Sequence, residues 1–366
     1  MGPRKGRGAR PARRERKPKG AEPSIEALLA RTQELMDDNN YTAALETAVQ
    51  AVALDERNTQ ALLLAAIIQL ESGDVEPAIN CLLRCVEISP ERGFEKYMYL
   101  GQFTVELESV RYYQLGVDAL QRDLAEAPAD SAQAAALRRK MAEAYVAMTE
   151  IYLTDCCFEA DAEKRCEELL ERGAQADPGC PEVYQTMASV RLSQDRPDEA
   201  RECLARSMAL WADRDQGDAA QIPSYESRVA LVRLLLELDD KEQALGLLER
   251  LQKEDDESVD LWYLYGWTYH LQSEEAQQAP EDKVQLLASA RECFRQTIRL
   301  AGLQGREDDA MIEHARELAA AIDSAVPVAA EDSDSDSDAE GRPADAGEPE
   351  WEDVSDDDGD GDVEMA

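Results

Sequence analysis

Histidine is nearly missing from this chain: 366 residues include only His270 and His314. The side chain best suited to moving protons near neutral pH is therefore scarce. No glycine-rich phosphate loop, H-E-x-x-H pair or G-x-S-x-G elbow is found either. The sequence thus argues against an enzyme and implies no cofactor. No apolar run approaches the roughly 18 residues that a membrane-spanning helix needs. The eight cysteines, Cys81, Cys85, Cys156, Cys157, Cys166, Cys180, Cys203 and Cys293, show no paired zinc-ligand spacing. They read as small core residues of a protein in a reducing compartment. Aromatics make up only 5% of the chain, which suits Leu/Ala-rich helix packing.

Positive charge is also short, with 39 Lys and Arg against 78 Asp and Glu, a net of −39. Its distribution is uneven. Residues 1–20 are net +8, residues 331–366 are net −16, and residues 21–330 keep −31. An acidic body repels phosphate backbones and attracts basic polypeptides, so the body is not expected to bind nucleic acid. The N-terminal segment is basic without an apolar h-region. Arg13-Arg14-Glu15-Arg16-Lys17-Pro18-Lys19 has the composition of a nuclear-import segment, giving residues 4–19 an import receptor as expected partner. The expected location is cytoplasmic and nuclear.

What the chain does have is periodicity. Trp262, Tyr265, Gly266 and Tyr269 follow the W-x2-L-G-x2-Y spacing of a tetratricopeptide repeat, and Ala290 and Phe294 supply the A-x3-F of its second helix. Pairs 34 residues apart include Ala44 and Ala78, Ala51 and Cys85, Leu54 and Ile88, Cys166 and Ala200, Gly173 and Ser207, and Val232 and Gly266. That period is the tetratricopeptide length. The expected fold is all-α, a right-handed superhelical solenoid of about seven helical pairs with a capping helix from Arg306 to Ser324. Residues 24–325 form the solenoid. Residues 1–23 form a disordered basic arm, and 326–366 a disordered acidic tail. The third unit departs from the pattern at Gly116, a long helix opens the fourth near Ser131, and Trp211 to Pro223 reads as a polar insertion.

In such a stack the first helix of each unit lines the concave side, with positions 2, 5, 6, 9, 12 and 13 facing inward on the repeat pattern. Position 2 is acidic in consecutive units: Glu95, Glu143, Glu182, Glu226 and Asp260, with Glu26 before them. A helix start favours an acid by about 0.3–1 kcal/mol, which accounts for part of this row. Glu106, Glu150 and Glu237, at later inward positions, escape that explanation. Tyr99, Tyr263 and Trp267 are the apolar anchors, and Arg233 interrupts the acidic run. The groove residues select an extended Lys/Arg-rich segment with some apolar side chains.

Tyr97-Met98-Tyr99-Leu100-Gly101-Gln102, Met148-Thr149-Glu150-Ile151-Tyr152-Leu153-Thr154-Asp155 and Trp262-Tyr263-Leu264-Tyr265-Gly266-Trp267 carry a family likeness. With the basic arm and acidic tail, they make the chain resemble the fungal dedicated assembly chaperones of the large-subunit ribosomal protein uL4. The resemblance implies a 1:1 complex in which an internal loop of new uL4 lies in the groove. It also implies protection from aggregation and passage to the nucleus for incorporation into the pre-60S particle. A second class fits the repeats alone: a scaffold that assembles a multi-subunit complex. Ser333, Ser335, Ser337 and Ser355 suit an acidophilic kinase.

Overall fold

The computed structural model describes residues 23–212, 214, 222–276, 280–306 and 309–326. The import segment, the tail serines and nearly all of the basic arm and acidic tail lie outside these residues. The described residues form fifteen helices and no strand. Seven pairs follow one another: α1 (Ile25–Asp37) with α2 (Tyr41–Leu54), α3 (Thr59–Glu71) with α4 (Val75–Ile88), and α5 (Glu95–Phe103) with α6 (Glu106–Glu126). Then come α7 (Ala132–Leu153) with α8 (Ala162–Ala176), α9 (Pro181–Ser193) with α10 (Pro197–Ala209), α11 (Tyr225–Glu237) with α12 (Lys241–Gln252), and α13 (Val259–Glu275) with α14 (Pro280–Gln304). The capping helix α15 (Ala310–Ala325) closes the array. It begins after Arg306, because Asp309 is its N-cap and accepts the Met311 N–H.

Local chemistry sets these boundaries. Ser24, Asn40, Asn58, Ser131, Ser224, Asp240 and Ser258 each cap a helix start through the side-chain oxygen, worth about 1 kcal/mol apiece. Within units one, two, five and six the chain reverses on a left-handed residue: Asn39, Gly73, Asp195 and Asp239. Helices α13 and α14 both run on, and Ser273 is buried.

The signature glycine admits the facing ring. A Cβ on Gly266 would lie 2.7 Å from the Phe294 ring, and one on Gly101 2.7 Å from Tyr113. The sites of the 34-residue register mostly fall in the core: Ala44, Ala78, Ala51, Cys85, Cys166, Ala200, Gly173, Ser207, Val232 and Gly266 are all buried. Leu54 and Ile88 are the exceptions, Leu54 half exposed at the end of α2 and Ile88 half-buried at the end of α4.

One sequence expectation is corrected at Trp211. Placed at the head of a polar insertion, it is instead 1% exposed and packs with Ala188, Leu204, Val229 and Leu247 in one cluster. Arg250 lies over its ring at 5.2 Å and donates to the Ala212 carbonyl at 3.1 Å. The insertion interrupts the usual packing of α10 on α11, and the indole fills the joint between units five and six. A lone tryptophan among polar residues gives no periodic signal, so its burial could not be read from spacing.

Two measurements check this packing. Trp211→Ala is expected to cost about 3–5 kcal/mol, the range for removing a buried indole. Because stability in such arrays is a sum over neighbouring units, urea unfolding followed by circular dichroism should separate into two steps. Gly266→Ala should lower the urea midpoint through overpacking by about 1–3 kcal/mol. Gly246→Ala, in mid-helix with nothing within 4 Å of the added carbon, should raise it slightly.

Candidate partner-binding groove

First helices pack on first helices: α1 on α3, α7 on α9, α9 on α11 and α11 on α13. Consecutive second helices do not pack on one another to that extent among the described residues. The row of first helices is therefore the compressed, concave side. Around α5 the pattern lapses, and unit three keeps chiefly the packing of second helix on next first helix that most units share, α4 against α5 and α6 against α7.

The central stretch of this wall gathers acids and a tyrosine. Glu95 opens α5 and Tyr99 follows one turn later, both half-buried. Burial raises the Tyr99 hydroxyl pKa, the charges of Glu71 and Glu95 push it further up, and Lys140 opposes them. Lys140 donates to Glu143 at 2.7 Å. Glu143 stands well inside α7, whose first residue is Ala132, so no helix-start preference accounts for it. Glu150 lies two turns on, near the end of the same helix. Its side chain meets solvent, yet the surrounding helices thin the water around it, and this desolvation raises its carboxyl pKa. Tyr113 of α6 sits close enough for burial and then the Glu150 charge to raise its own. An exposed group with a desolvated surrounding is what the floor of a groove produces. Glu71, Lys140 and Tyr113 were not singled out from sequence. The two charged residues end or precede the signature turns, and Tyr113 is on a second helix.

Other acids of the row are engaged elsewhere. Arg139 holds Glu182 at 3.2 Å and Asp177 at 2.9 Å, tying unit four to unit five. Asp260 lies between Arg233 at 2.5 Å and Arg306 at 3.2 Å, so Arg233 answers an acid of the next unit. Glu26 and Glu226 have pKa values lowered first by backbone N–H groups at their own helix starts and then by Ser24 and Ser224; they act as capping acids. Glu237 is exposed at the C-terminal end of α11, where the helix dipole disfavours an acid. Glu106 is a correction: it does not lie on the first helix of its unit. Helix α5 ends at Phe103, Thr104 is extended, and Glu106 begins α6 with φ 56°. It sits on the turn edge of the unit.

Two of the aromatic anchors, Tyr263 and Trp267, meet the capping helix. Tyr263 Oη and His314 Nδ1 share a hydrogen bond of 2.8 Å. The Trp267 ring lies 5.6 Å from His270 and 5.5 Å from His314. The two histidines, 44 residues apart in sequence, thus converge on one indole, and Trp267 is half-buried rather than bare. Beside them a cleft of about 550 Å³ is lined by Tyr225, Glu226, Arg233, Asp260, Gln304 and Arg306, among others.

Comparison with known proteins follows the same lines. The tetratricopeptide repeat family model matches residues 59–92. A protein of Emericella nidulans named "Probable assembly chaperone of rpl4" is 34% identical over 333 residues, covering 83% of each chain. One of Schizosaccharomyces pombe with the same name is 30% identical over 300 residues, covering 80% of this chain and 88% of its own. Among solved structures, "Assembly Chaperone of RpL4 (Acl4) (Residues 1-338)" superposes with a TM-score of 0.63 at 34% identity, covering 70% of this chain and 99% of that one.

The crowding at Glu150 predicts a stability effect. Its raised pKa means that the ionised form costs the folded state at neutral pH. That cost disappears as pH falls through the raised value toward the ordinary carboxylate range. Glu150→Gln should therefore raise the melting temperature at pH 7, with the gain shrinking in acid. Melting curves at several pH values check the sign.

Proposed function

The chain belongs to the family of rpl4 assembly chaperones, and on that footing we propose that it captures rpl4, the uL4 of the resemblance above, as a basic, extended client. The client segment lies along the row of first helices. Glu95, Glu143 and Glu150 face its lysines and arginines, and Tyr99 takes apolar side chains. The observation that carries this reading is the central wall itself, where Glu95, Tyr99, Glu143 and Glu150 stand on consecutive first helices and burial raises the pKa of Glu150 and Tyr99. A charge there interacts more strongly with an incoming cation than on an open surface. The ion-paired acids Glu182 and Asp260 hold units together, while the aromatic cluster of Tyr263 and Trp267 offers the far end of the groove a stacking face.

The finer steps follow from the same charge logic. The client, disordered when free, becomes ordered along the groove in a 1:1 complex and is kept from aggregating. Residues 4–19 engage an import receptor, and the pair reaches the nucleus together. On the pre-60S particle, RNA competes with the carboxylates for the client's basic residues and releases it. Residues 331–366, net −16, screen the bound client from other polyanions meanwhile.

Titration of the purified full chain with rpl4 tests the reading. Affinity should fall steeply between about 0.1 M and about 0.5 M salt, where the screening length shrinks from roughly 10 Å to a few ångströms. The double variant Glu95→Lys, Glu143→Lys should bind at least ten-fold more weakly at the lower salt. Absence of binding by the wild type, or affinity indifferent to both salt and charge reversal, would overturn it.

A further inference from the structure

Phe158 is 96% exposed, and it is the one aromatic side chain in the exposed class among the described residues. It sits in the turn between α7 and α8. That turn is wound, not loose: Cys156 N–H donates to the Ile151 carbonyl at 2.9 Å, Glu159 N–H to Cys156 at 3.1 Å, and Ala162 N–H to Glu159 at 3.1 Å. Cys156 points into the core at 4% exposure, while Cys157 and Phe158 are turned outward. The phenyl ring contributes nothing to the fold.

The neighbouring unit presents a matching edge. Val105 is 69% and Leu107 48% exposed, on either side of Glu106 in its left-handed conformation. Ser109, buried, fixes this turn by donating to the Gly101 carbonyl. Helix α6 packs along α7, and the Cys156 thiol pKa, raised first by burial, is pushed further up by the charges of Glu106, Glu159 and Asp155. The two turns are thus adjacent on one edge of the array. On the other side of the α7–α8 turn, a cleft of about 550 Å³ is lined by Tyr152, Leu153, Cys157, Cys166 and Val190, with Glu163 and Asp195. Residues 104–108 and 154–165 contain Glu106, Glu108, Asp155, Glu159, Asp161 and Glu163 against Lys164 and Arg165, with Arg165 paired to Asp161 at 2.8 Å, which leaves the edge net acidic. Three bare apolar side chains, an apolar cleft and a surround of carboxylates fit one kind of occupant: a basic segment carrying a large apolar residue.

We propose that the turn edge of units three and four, centred on Phe158, Val105 and Leu107, is a second docking surface for a basic, apolar-anchored segment of the same client, outside the groove. This rests on rpl4 being the client. It gives the client a route out of the concavity over the rim, so that two linked contacts act together.

The test uses the full chain and rpl4. Phe158→Ser, Val105→Ser, Leu107→Ser should melt as the wild type does, since these side chains are exposed. It should bind rpl4 at least ten-fold more weakly, with Phe158→Leu recovering most of the loss. Alkylation of Cys157 in the unmodified chain, read by mass spectrometry, should slow several-fold when rpl4 is bound. If the triple variant binds normally and Cys157 stays equally reactive while the Glu95→Lys, Glu143→Lys variant is weakened, the groove reading stands and the edge proposal is overturned. If wild-type protein does not bind rpl4 at all, the client assignment fails and the edge proposal goes with it.

Discussion

Everything in this molecule depends on how closely the two helices of a unit can approach. A helical pair carries apolar surface on more sides than its own partner covers, so each unit is stable only when stacked. That stacking requires small residues where backbones meet. Gly116 against Met98, Gly266 beneath the Phe294 ring and Gly101 beneath Tyr113 are the tightest of these places. The buried alanines Ala44, Ala78, Ala200 and Ala290 repeat the device with a methyl group. Close approach on the first-helix side then bends the stack, and curvature makes a hollow.

The hollow changes what an ordinary carboxylate can do. Glu150 on a flat surface would be a solvated charge of little consequence. Walled by neighbouring helices, it is costly to ionise without a cation nearby. Such a carboxylate costs the free protein some stability, a cost that an incoming cation would relieve. Where an acid already has its cation, as Glu182 has Arg139 and Asp260 has Arg233 and Arg306, the same chemistry fastens one unit to the next. Acidic residues at equivalent repeat positions divide into fasteners, caps and open charges, and their neighbours decide which.

Much of the fold was legible because helical repeats advertise themselves locally. The period of 34 links a unit only to the next one, and the glycine and aromatic spacing around Gly266 and the capping Ser131 depend on residues within one unit. The site was legible only in part. Arg139 meets Glu182 across 43 residues, and Arg306 meets Asp260 across 46; no local pattern encodes such pairs. Glu106 was misplaced because the end of α5 is set by the extended backbone at Thr104, not by the repeat period. Trp211 was misread because an insertion has no register to compare. The meeting of His270 and His314 at Trp267 arises only once α15 folds back on α13 and α14.

Helix α5 has nine residues where the first helices on either side have 13 and 22. It also lacks the inner-side packing that joins most other units. The inner wall is therefore interrupted at α5, as the packing of second helix on next first helix is interrupted between α10 and α11 among the described residues. A spring of uniform coils would have to open everywhere to admit a thick strand; this one has two thinner joints, one at α5 and one ahead of α11, and its stiffer stretches would part about them.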